Sequence, residues 1–281
     1  MSLIYPNQPR NQRPGFSPER GGCTSPRHAY SVKSTTDIIV VGCGVAGATV
    51  ADTATSMGSK VIVLEEHDRV GVPSHCSGHV GIKSMKRLGV PLSDNIIKNQ
   101  IRGAIFHSPS GQVLRLERRT PITWVLDRRA FDEHLAARAE REGAEILLNC
   151  RAASAHKSES GPVQVRVSTD SGSKTINCRV LVDCEGVAPR LVPQRPLTKR
   201  RNLMWVNSAQ VHADHVSDLD YDMVEVYLGS KYAPGFFAWI IPWRDGSAKV
   251  GLAAREGNVR ALLERFMKKH PDASRKLQSV S

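Results

Sequence analysis

Uninterrupted runs of branched apolar residues predict a buried parallel sheet near the start of the chain. Residues 37–41 and 60–64 each contain such a run after one charged residue, and each is about as long as a strand that is buried on both faces. The segment 45–57 between them has the composition of a helix and is followed by Gly58, a common helix terminator. Together they predict a strand, a turn, a helix and a second strand, joined by a right-handed crossover.

A different pattern, in which apolar and polar residues alternate, begins beyond Pro196. Alternation predicts antiparallel strands with two unlike faces. Residues 103–107 and 112–117, on either side of a turn at 109–111, show hairpin character earlier in the chain. The strands predicted after Pro196 are 203–211, 223–228, 236–241 and 248–253, the last two joined at Asp245-Gly246.

The remaining segments complete an α/β pattern. Residues 129–142 predict a helix with one apolar stripe that ends at Gly143, and residues 258–270 predict a final helix. Further strands are predicted at 145–149, 163–168 and 175–183. We therefore predict a Rossmann-like parallel sheet with helices, interleaved with an antiparallel β-sheet domain. The predicted divisions are a disordered leader at 1–36, a nucleotide-binding domain at 37–100 and 121–195, an antiparallel substrate domain at 101–120 and 196–255, and a helix with a basic tail at 256–281.

The composition is that of a globular protein. The chain has 281 residues, of which 40% are hydrophobic and 23% charged, and this excludes wholly disordered, collagen-like and coiled-coil proteins. The longest apolar run, 38–51, is interrupted by glycines and falls short of the roughly 20 residues of a membrane-spanning helix. The six cysteines have no metal-binding spacing. We therefore predict no metal site, and we expect reduced thiols and a cytoplasmic location.

The net charge of +12 is concentrated at the two ends of the chain. Residues 1–36 carry five basic side chains against one acidic, residues 255–281 carry seven against three, and 196–201 is a short internal basic cluster. Because no aromatic residues are interleaved with these charges, nucleic-acid binding is not predicted. A solvated surface explains the charge most simply, and contact with an anionic membrane surface is the functional alternative.

The segment Gly42-Cys43-Gly44-Val45-Ala46-Gly47 follows the first predicted strand and opens the first predicted helix. Glycines at this spacing permit a tight turn, close approach of the backbone to a pyrophosphate, and close packing of helix on strand. The amides and the dipole of the helix favour phosphate. Glu65, 18 residues after Gly47, ends the second strand, where a carboxylate accepts hydrogen bonds from a ribose. Since an acid there disfavours a 2′-phosphate, we predict FAD or NAD rather than NADP.

Three segments resemble the geranylgeranyl reductase family of flavoproteins. Residues 69–78 match the family's Pro-x-x-Cys-x-Gly segment, which lies along the flavin, and 126–135 match its Arg-x-x-Phe-Asp-x-x-Leu helix, whose arginine approaches FAD. Residues 234–242 are similar to its Tyr-x-Trp-x-Phe-Pro motif, which lines a tunnel for a prenyl chain. The resemblance spans about residues 37–270 and implies the two-domain fold of the aromatic hydroxylases, with FAD as the cofactor.

The resemblance further implies an oxidoreductase that saturates carbon–carbon double bonds of geranylgeranyl chains, in the biosynthesis of membrane lipids or related prenyl lipids. Reduced flavin would deliver a hydride to one alkene carbon while a proton is added to the other. The sequence does not identify the electron donor, for which NADPH and ferredoxin are candidates. Because an isolated alkene has no carbonyl to polarise, no catalytic residue is predicted. The enzyme is expected to be cytoplasmic, with peripheral contact to anionic lipid.

The candidate site residues come from the glycine loop, the end of the second strand and the family motifs. The expected cofactor-binding residues are Gly42, Gly44, Val45, Ala46, Gly47, Glu65, Glu66, Gly71, Cys76, Gly78, Arg128, Glu185 and Gly186. The expected prenyl-binding residues are Phe237, Trp239, Ile241 and Pro242.

Three of these candidates have simpler structural interpretations. Arg128 can pair with Asp132 one helical turn away, and Trp239 can be ordinary core. Cys76 has no Lys or Arg beside it in the sequence, so we interpret it as a packed residue near the site rather than a nucleophile.

The chain departs from the family pattern at four places. Phe237 replaces Tyr, Ile241 replaces Phe, and Cys184-Glu185-Gly186 stands where Ala-Asp-Gly is usual, with Pro189 in place of Ser. The second flavin signature, a Gly-Asp-Ala loop that holds the ribityl chain and ring, is absent. Family members continue well beyond this length, which favours a piece of a longer protein.

Alternative functions remain open at this stage. Residues 237–242 also resemble the Trp-x-Trp-x-Ile-Pro motif of flavin-dependent halogenases, so a monooxygenase or halogenase is the nearest alternative. Those enzymes lack a counterpart of residues 73–78, and they have an active-site lysine strand for which the sequence shows no counterpart. A truncated, non-catalytic nucleotide-binding protein is the second alternative. An NAD-dependent dehydrogenase ranks last, because no conventional hydride-acceptor site is present.

Overall fold

The computed structural model describes residues 35–157, 159–187, 189–191 and 205–277. Nearly all of the predicted leader, the basic cluster 196–201 and the first residues of the strand predicted at 203–211 lie outside the described residues. The strands are β1 Thr35–Val41, β2 Val61–Leu64, β3 His79–Gly81, β4 Ile97–Ile101, β5 Gly103–His107, β6 Val113–Glu117, β7 Thr123–Leu126, β8 Glu145–Leu147, β9 Arg151–Lys157, β10 Val163–Thr169, β11 Gly172–Asp183, β12 Asn207–Ala213, β13 Met223–Leu228, β14 Phe237–Pro242 and β15 Ala248–Ala254. The helices are α1 Val45–Ser56, α2 Ile82–Arg87, α3 Arg128–Arg141, α4 Val259–Lys269 and α5 Ala273–Lys276.

The first sheet has the strand order β8-β2-β1-β11-β10-β9. Strands β8, β2, β1 and β11 are parallel, while β9 and β10 are added antiparallel to the end. Buried residues of α1 and α3 pack on one face of this sheet. On the other face Ile39, Val41, Ile62 and Leu64 are buried in a second cluster. The apolar runs within 37–41 and 60–64 are therefore strands covered on both faces, as the sequence predicts.

The second sheet has the order β12-β15-β14-β13-β5-β6. It is antiparallel except where β13 runs parallel to β5, and the predicted hairpin of residues 103–117 is present as β5 and β6. One face of this sheet packs against α4, and we call it the closed face. Its residues include Ala238, Ile240, Val250 and Leu252, in contact with Leu263 and Phe266 of the helix. The helix predicted at 258–270 thus belongs to the core of the second sheet.

A third, three-stranded sheet with the order β3-β7-β4 connects the first two, and the sequence analysis did not predict it. Its strands are short and carry no clear alternation, so periodicity does not reveal them. Ile101 and Val125 of this sheet pack against Val224 and Ile241 of the second sheet. The small sheet therefore fixes how the second sheet approaches the first.

Helix starts are set by side-chain caps. The Asp127 carboxylate accepts hydrogen bonds from the amides of Arg129 and Ala130, so α3 begins at Arg128, one residue earlier than predicted. The amide oxygen of Asn258 caps α4 in the same way. Among the described residues, no helix is both long and apolar enough to cross a lipid bilayer.

Candidate functional site

A cavity of about 430 Å³ lies at the carboxyl ends of β1, β2 and β11. Ligands of open α/β sheets bind at this edge. The cavity is lined by the glycine loop, the end of β2, the segment before β3, the first turn of α3 and the loop after β11. The predicted cofactor-binding residues that line it are Gly42, Gly44, Glu65, Glu66, Gly71, Cys76, Arg128, Glu185 and Gly186. Four other predicted residues, Val45, Ala46, Gly47 and Gly78, do not line it.

Each glycine of the loop has a separate structural reason. A Cβ on Gly47 would lie 1.8 Å from the carbonyl oxygen of Gly42, so α1 packs directly on the turn. Gly42 has φ +93°, and a Cβ there would lie 2.5 Å from the carbonyl oxygen of Cys184. Gly44 is the N-cap of α1 and borders the cavity, and a Cβ on it would meet no atom within 4 Å. The loop therefore leaves open space in front of the helix amides, the place where a phosphate binds.

Glu65 braces the same loop. Its Oε2 accepts a hydrogen bond from the Cys43 amide at 2.8 Å, and its Oε1 accepts from the His67 amide at 3.0 Å. Burial and the charge of Glu65 raise the pKa of the Cys43 thiol to about 12, so this thiol stays protonated. The His67 ring nitrogen Nδ1 also lies 2.6 Å from Oε1. A carboxylate has about four acceptor positions, so Glu65 can brace the loop and still accept one hydrogen bond from a ligand in the cavity. The brace itself was not predicted from the sequence.

Glu185 replaces the shorter acid of the family pattern and closes the loop after β11. Its Oε2 accepts from the amides of Arg190 and Leu191 at 2.8 and 2.9 Å. The Glu185 amide in turn donates to Asp183 Oδ1 at 3.0 Å. The longer side chain thus holds the turn in place while it lines the cavity.

Arg128 makes the predicted pair with Asp132, and its contact with a cofactor stays a prediction. It donates two hydrogen bonds of 3.0 Å to the carboxylate of Asp132, one turn along α3, and it lines the cavity. Burial raises the pKa of Asp132 against the opposing effect of Arg128. The guanidinium also interacts with the Cys76 thiol. Cys76 therefore has a cation beside it in space, although its sequence neighbours carry none.

Two residues of the second sheet that the sequence analysis missed reach the same segment. The Cys76 carbonyl oxygen accepts hydrogen bonds from Lys249 Nζ at 3.1 Å and from Gln210 Nε2 at 3.4 Å. Gln210 Oε1 accepts from Trp239 Nε1 at 3.4 Å. Lys249 is only 8% exposed. The available signal was a single lysine within the otherwise small and apolar run 248–254.

The side of the second sheet opposite the closed face is apolar and partly exposed, and we call it the open face. Strand pairing aligns Trp239 with Val226, Val226 with Phe106, and Phe106 with Leu114 at the sheet edge. Leu114 and the neighbouring Leu116 are 56% and 54% exposed. The open face, defined by Phe106, Leu114, Val226, Phe237 and Trp239, therefore extends from beside Cys76 to the edge strand β6.

The predicted prenyl-binding residues are distributed unequally over β14. Phe237 and Trp239 belong to the open face and are half-buried. Ile241 points to the same side but is buried against Ile101 of the small sheet. Pro242 pairs with Ala248, whose side chain belongs to the closed face, so the structure does not bring Pro242 to the open face.

Two family models match the chain. The model for FAD-dependent oxidoreductases matches residues 37–189, and the model for the geranylgeranyl reductase catalytic domain matches residues 206–281. The first match contains every residue that lines the cavity except Arg190, and the second contains Val226, Phe237 and Trp239 of the open face. Cys76 lies in the first match, and Gln210 and Lys249, which donate to its carbonyl, lie in the second.

Individual relatives agree with these matches. The chain is 28% identical over 234 residues to a digeranylgeranylglycerophospholipid reductase from Methanocaldococcus jannaschii, covering 82% of this chain and 59% of the relative. It is 29% identical over 237 residues to digeranylgeranylglycerophospholipid reductase 2 from Methanothermobacter thermautotrophicus, covering 82% of this chain and 61% of the relative. The chain therefore spans about three fifths of the length of these relatives.

Solved structures show the same fold. A geranylgeranyl bacteriochlorophyll reductase-like protein from Thermoplasma acidophilum superimposes with a TM-score of 0.76 at 27% identity, covering 86% of this chain and 63% of that one. The myxobacterial chondrochloren halogenase superimposes with a TM-score of 0.65 at 17% identity, covering 88% of this chain and 60% of that one. The second likeness concerns the fold alone, so the architecture is shared between reductases and halogenases.

Proposed function

The chain belongs to the FAD-dependent oxidoreductase family, and from this premise we propose that it binds FAD in the cavity and reduces carbon–carbon double bonds of a geranylgeranyl lipid on the open face. One observation carries the proposal. Trp239 of the open face is linked through Gln210 to the carbonyl of Cys76, a residue that lines the cavity. A cofactor in the cavity and an apolar chain on the open face would therefore meet at Cys76.

The residues of the cavity fit FAD from one end to the other. The space in front of Gly44 and the start of α1 suits the diphosphate. Glu65 would accept from the ribose of the adenosine, since its carboxylate borders the cavity. Cys76 and Arg128 would then border the ring, at the end of the cavity that faces the second sheet.

The chain's own contribution to the reaction is binding and orientation. FAD, when bound and reduced, supplies the hydride for the alkene. The open face holds the prenyl chain and keeps water from the reacting carbons. Burial contributes about 0.8 kcal/mol per CH₂, so a chain of roughly twenty carbons gains on the order of 10 kcal/mol before costs. That gain supports the extraction of a lipid onto the open face.

We propose the domain division on the same grounds. The segments 37–100 and 121–195 would form the FAD-binding domain, and 101–120 with 196–255 the prenyl-binding domain. Residues 256–281 would add a helix and basic tail, and the helix packs on the second sheet. The two six-stranded sheets support this division. Peripheral contact with anionic lipid is part of the proposal and is supported by the basic excess at the two ends of the sequence.

Flavin binding is tested first. The purified chain incubated with excess FAD and then desalted should be yellow. Gly44→Val should abolish the colour without loss of fold, because its side chain would occupy the open space in front of α1. Thr49→Val, on the exposed side of the same helix, is the matched control and should bind FAD as the unaltered chain does.

The reaction is tested second, with reduced protein and a geranylgeranyl lipid under anaerobic conditions. The proposal expects a mass gain of two units for each double bond that is reduced. Oxygenated or halogenated product that forms only in air would favour the monooxygenase and halogenase alternative. A yellow protein that forms no product under either condition would favour a non-catalytic nucleotide-binding protein.

A further inference from the structure

Lys249 is a buried cation for which the described part of the chain provides no carboxylate within ion-pair distance. Its Nζ donates to the Cys76 carbonyl and lies 5.6 Å from the centroid of the Trp243 ring. Asp127 acts on it from a greater distance, and that carboxylate already caps α3. Burial lowers the pKa of Lys249. Because an uncompensated buried ammonium group is costly, its presence beside a cavity indicates a function.

The charged side chains around the cavity indicate what kind of ligand Lys249 would contact. Glu66 lines the cavity together with Arg151 and Arg190, which lie 3.0 and 4.0 Å from its carboxylate and balance it. Arg128 and Lys249 flank Cys76. Arg128 is neutralised by its two hydrogen bonds to Asp132. Lys249 therefore supplies the net positive charge at the Cys76 end. A ligand that acquires negative charge near Cys76 would therefore suit this cavity.

Resting on the proposed binding of FAD, we propose that Lys249 is the counter-charge for the reduced flavin ring and raises the reduction potential of the cofactor. Two electrons and one proton convert the neutral oxidised ring into an anion. A cation near the ring favours that anion, while it adds little to the binding of the neutral oxidised form. Gln210 donates to the same carbonyl but carries no charge, so it cannot replace Lys249 in this role.

The test compares Lys249→Met and Lys249→Arg with the unaltered chain, loaded with FAD and titrated anaerobically against a dye of known potential. We expect Lys249→Met to bind oxidised FAD normally and to bind reduced FAD about tenfold more weakly, which lowers the two-electron potential by about 30 mV. Lys249→Arg keeps the charge and should retain most of the potential. Lys268→Met removes an exposed cation, paired with Glu264 on α4, and should leave the potential unchanged.

A second readout distinguishes a counter-charge from a mere structural support, namely thermal unfolding of the FAD-free chain. Met has a similar volume and no buried charge, so Lys249→Met should unfold at the same or a higher temperature. If Lys249→Met lowers the unfolding temperature and weakens both redox forms of FAD equally, Lys249 only supports Cys76. An unchanged potential likewise overturns this inference while the proposed function stands. Failure of the unaltered chain to bind FAD would overturn both.

Discussion

The two faces of the second sheet differ in how their buried charged side chains are paired. On the closed face, the Glu225 carboxylate accepts hydrogen bonds from His107, from Tyr227 and from Lys276 of α5. On the other side, a single carbonyl, that of Cys76, accepts a hydrogen bond from Lys249 among the residues that the structure describes. Both side chains are almost fully buried, but only Glu225 is surrounded by donors that balance its charge.

This difference distinguishes a residue that stabilises the fold, Glu225, from a residue that we propose to act on a ligand, Lys249. A buried charge whose partners all come from the chain is satisfied in the folded protein itself. A buried charge without such partners is a cost to stability, and natural proteins retain that cost mainly at functional sites. The closed face is accordingly a core, and the side of the sheet that carries Lys249 and Trp239 is the one we propose as the site.

Neutralising Glu225 should have the largest effect on stability. Glu225→Gln leaves Lys276 without its counter-ion and turns one acceptor oxygen into a donor group. Loss of one partner of a buried pair typically costs about 3–5 kcal/mol, and we expect a loss of this size in the free energy of unfolding. Chemical denaturation measures it.

A matched control removes an exposed acid. Glu264→Gln breaks the ion pair with Lys268 on the surface of α4, where solvent screens the charges and such pairs add little to stability. Equal effects of the two substitutions would show that Glu225 is not the stabilising centre of the closed face.

The same substitution on the two faces should have unequal effects. Leu252→Ala removes a fully buried side chain from the closed face, which should cost about 2–5 kcal/mol in the free energy of unfolding. Leu114→Ala, on the open face, should cost under about 1 kcal/mol. Leu114→Ala should weaken the binding of a geranylgeranyl lipid, whereas Leu252→Ala should act mainly on the free energy of unfolding. If Leu114→Ala leaves lipid binding unchanged, the lipid does not extend to the edge of the open face.

The parts of the fold that periodicity specifies could be predicted from the sequence. The uninterrupted runs that form β1 and β2 follow directly from burial on both faces. The strands β13 to β15 could also be predicted, although β15 is buried at every position rather than on one face. The small sheet could not be predicted, because its strands β3, β7 and β4 derive their pairing from segments far apart in the chain. Its position nonetheless sets the approach of the second sheet to Cys76.

The candidate site divides in the same way. The glycine loop and Glu65 belong to the same strand–helix–strand unit, β1-α1-β2, so a spacing motif identifies them. The contacts of Cys76 with Lys249 and Gln210 join residues more than 130 positions apart. No local pattern encodes such contacts, and the cations beside Cys76 became visible only in the folded chain.

Acid should remove the stabilisation by Glu225 gradually. Although burial alone raises the pKa of Glu225, hydrogen bonds from His107, Lys276 and Tyr227 lower it from 4.5 to about 2. The stabilisation is therefore complete above pH 4.5 and is lost as the pH falls towards about 2, amounting to about 3 kcal/mol in all. Measured against pH, the unfolding free energies of the unaltered chain and Glu225→Gln should converge over this range. Curves that stay parallel down to pH 2 would contradict this.

A substitution at Gly251 should alter the open face and leave the closed face intact, because the Trp239 indole lies over this glycine. A Cβ on Gly251 would lie 2.6 Å from Trp239 Cζ2 and 2.8 Å from the carbonyl oxygen of Ala209. Gly251→Ala should therefore displace the indole and cost about 1–3 kcal/mol. Because the displaced ring belongs to the open face, the variant should bind oxidised FAD normally and a geranylgeranyl lipid more weakly.

A double-mutant cycle separates the two contacts of that added methyl group. In a Trp239→Leu background the indole is gone, so Gly251→Ala should cost less than it does in the unaltered chain, and the difference measures the contact with the ring. The same cost in both backgrounds would assign the whole effect to the Ala209 carbonyl. The close packing of Trp239 on the sheet would then not be what shapes the open face beside Cys76.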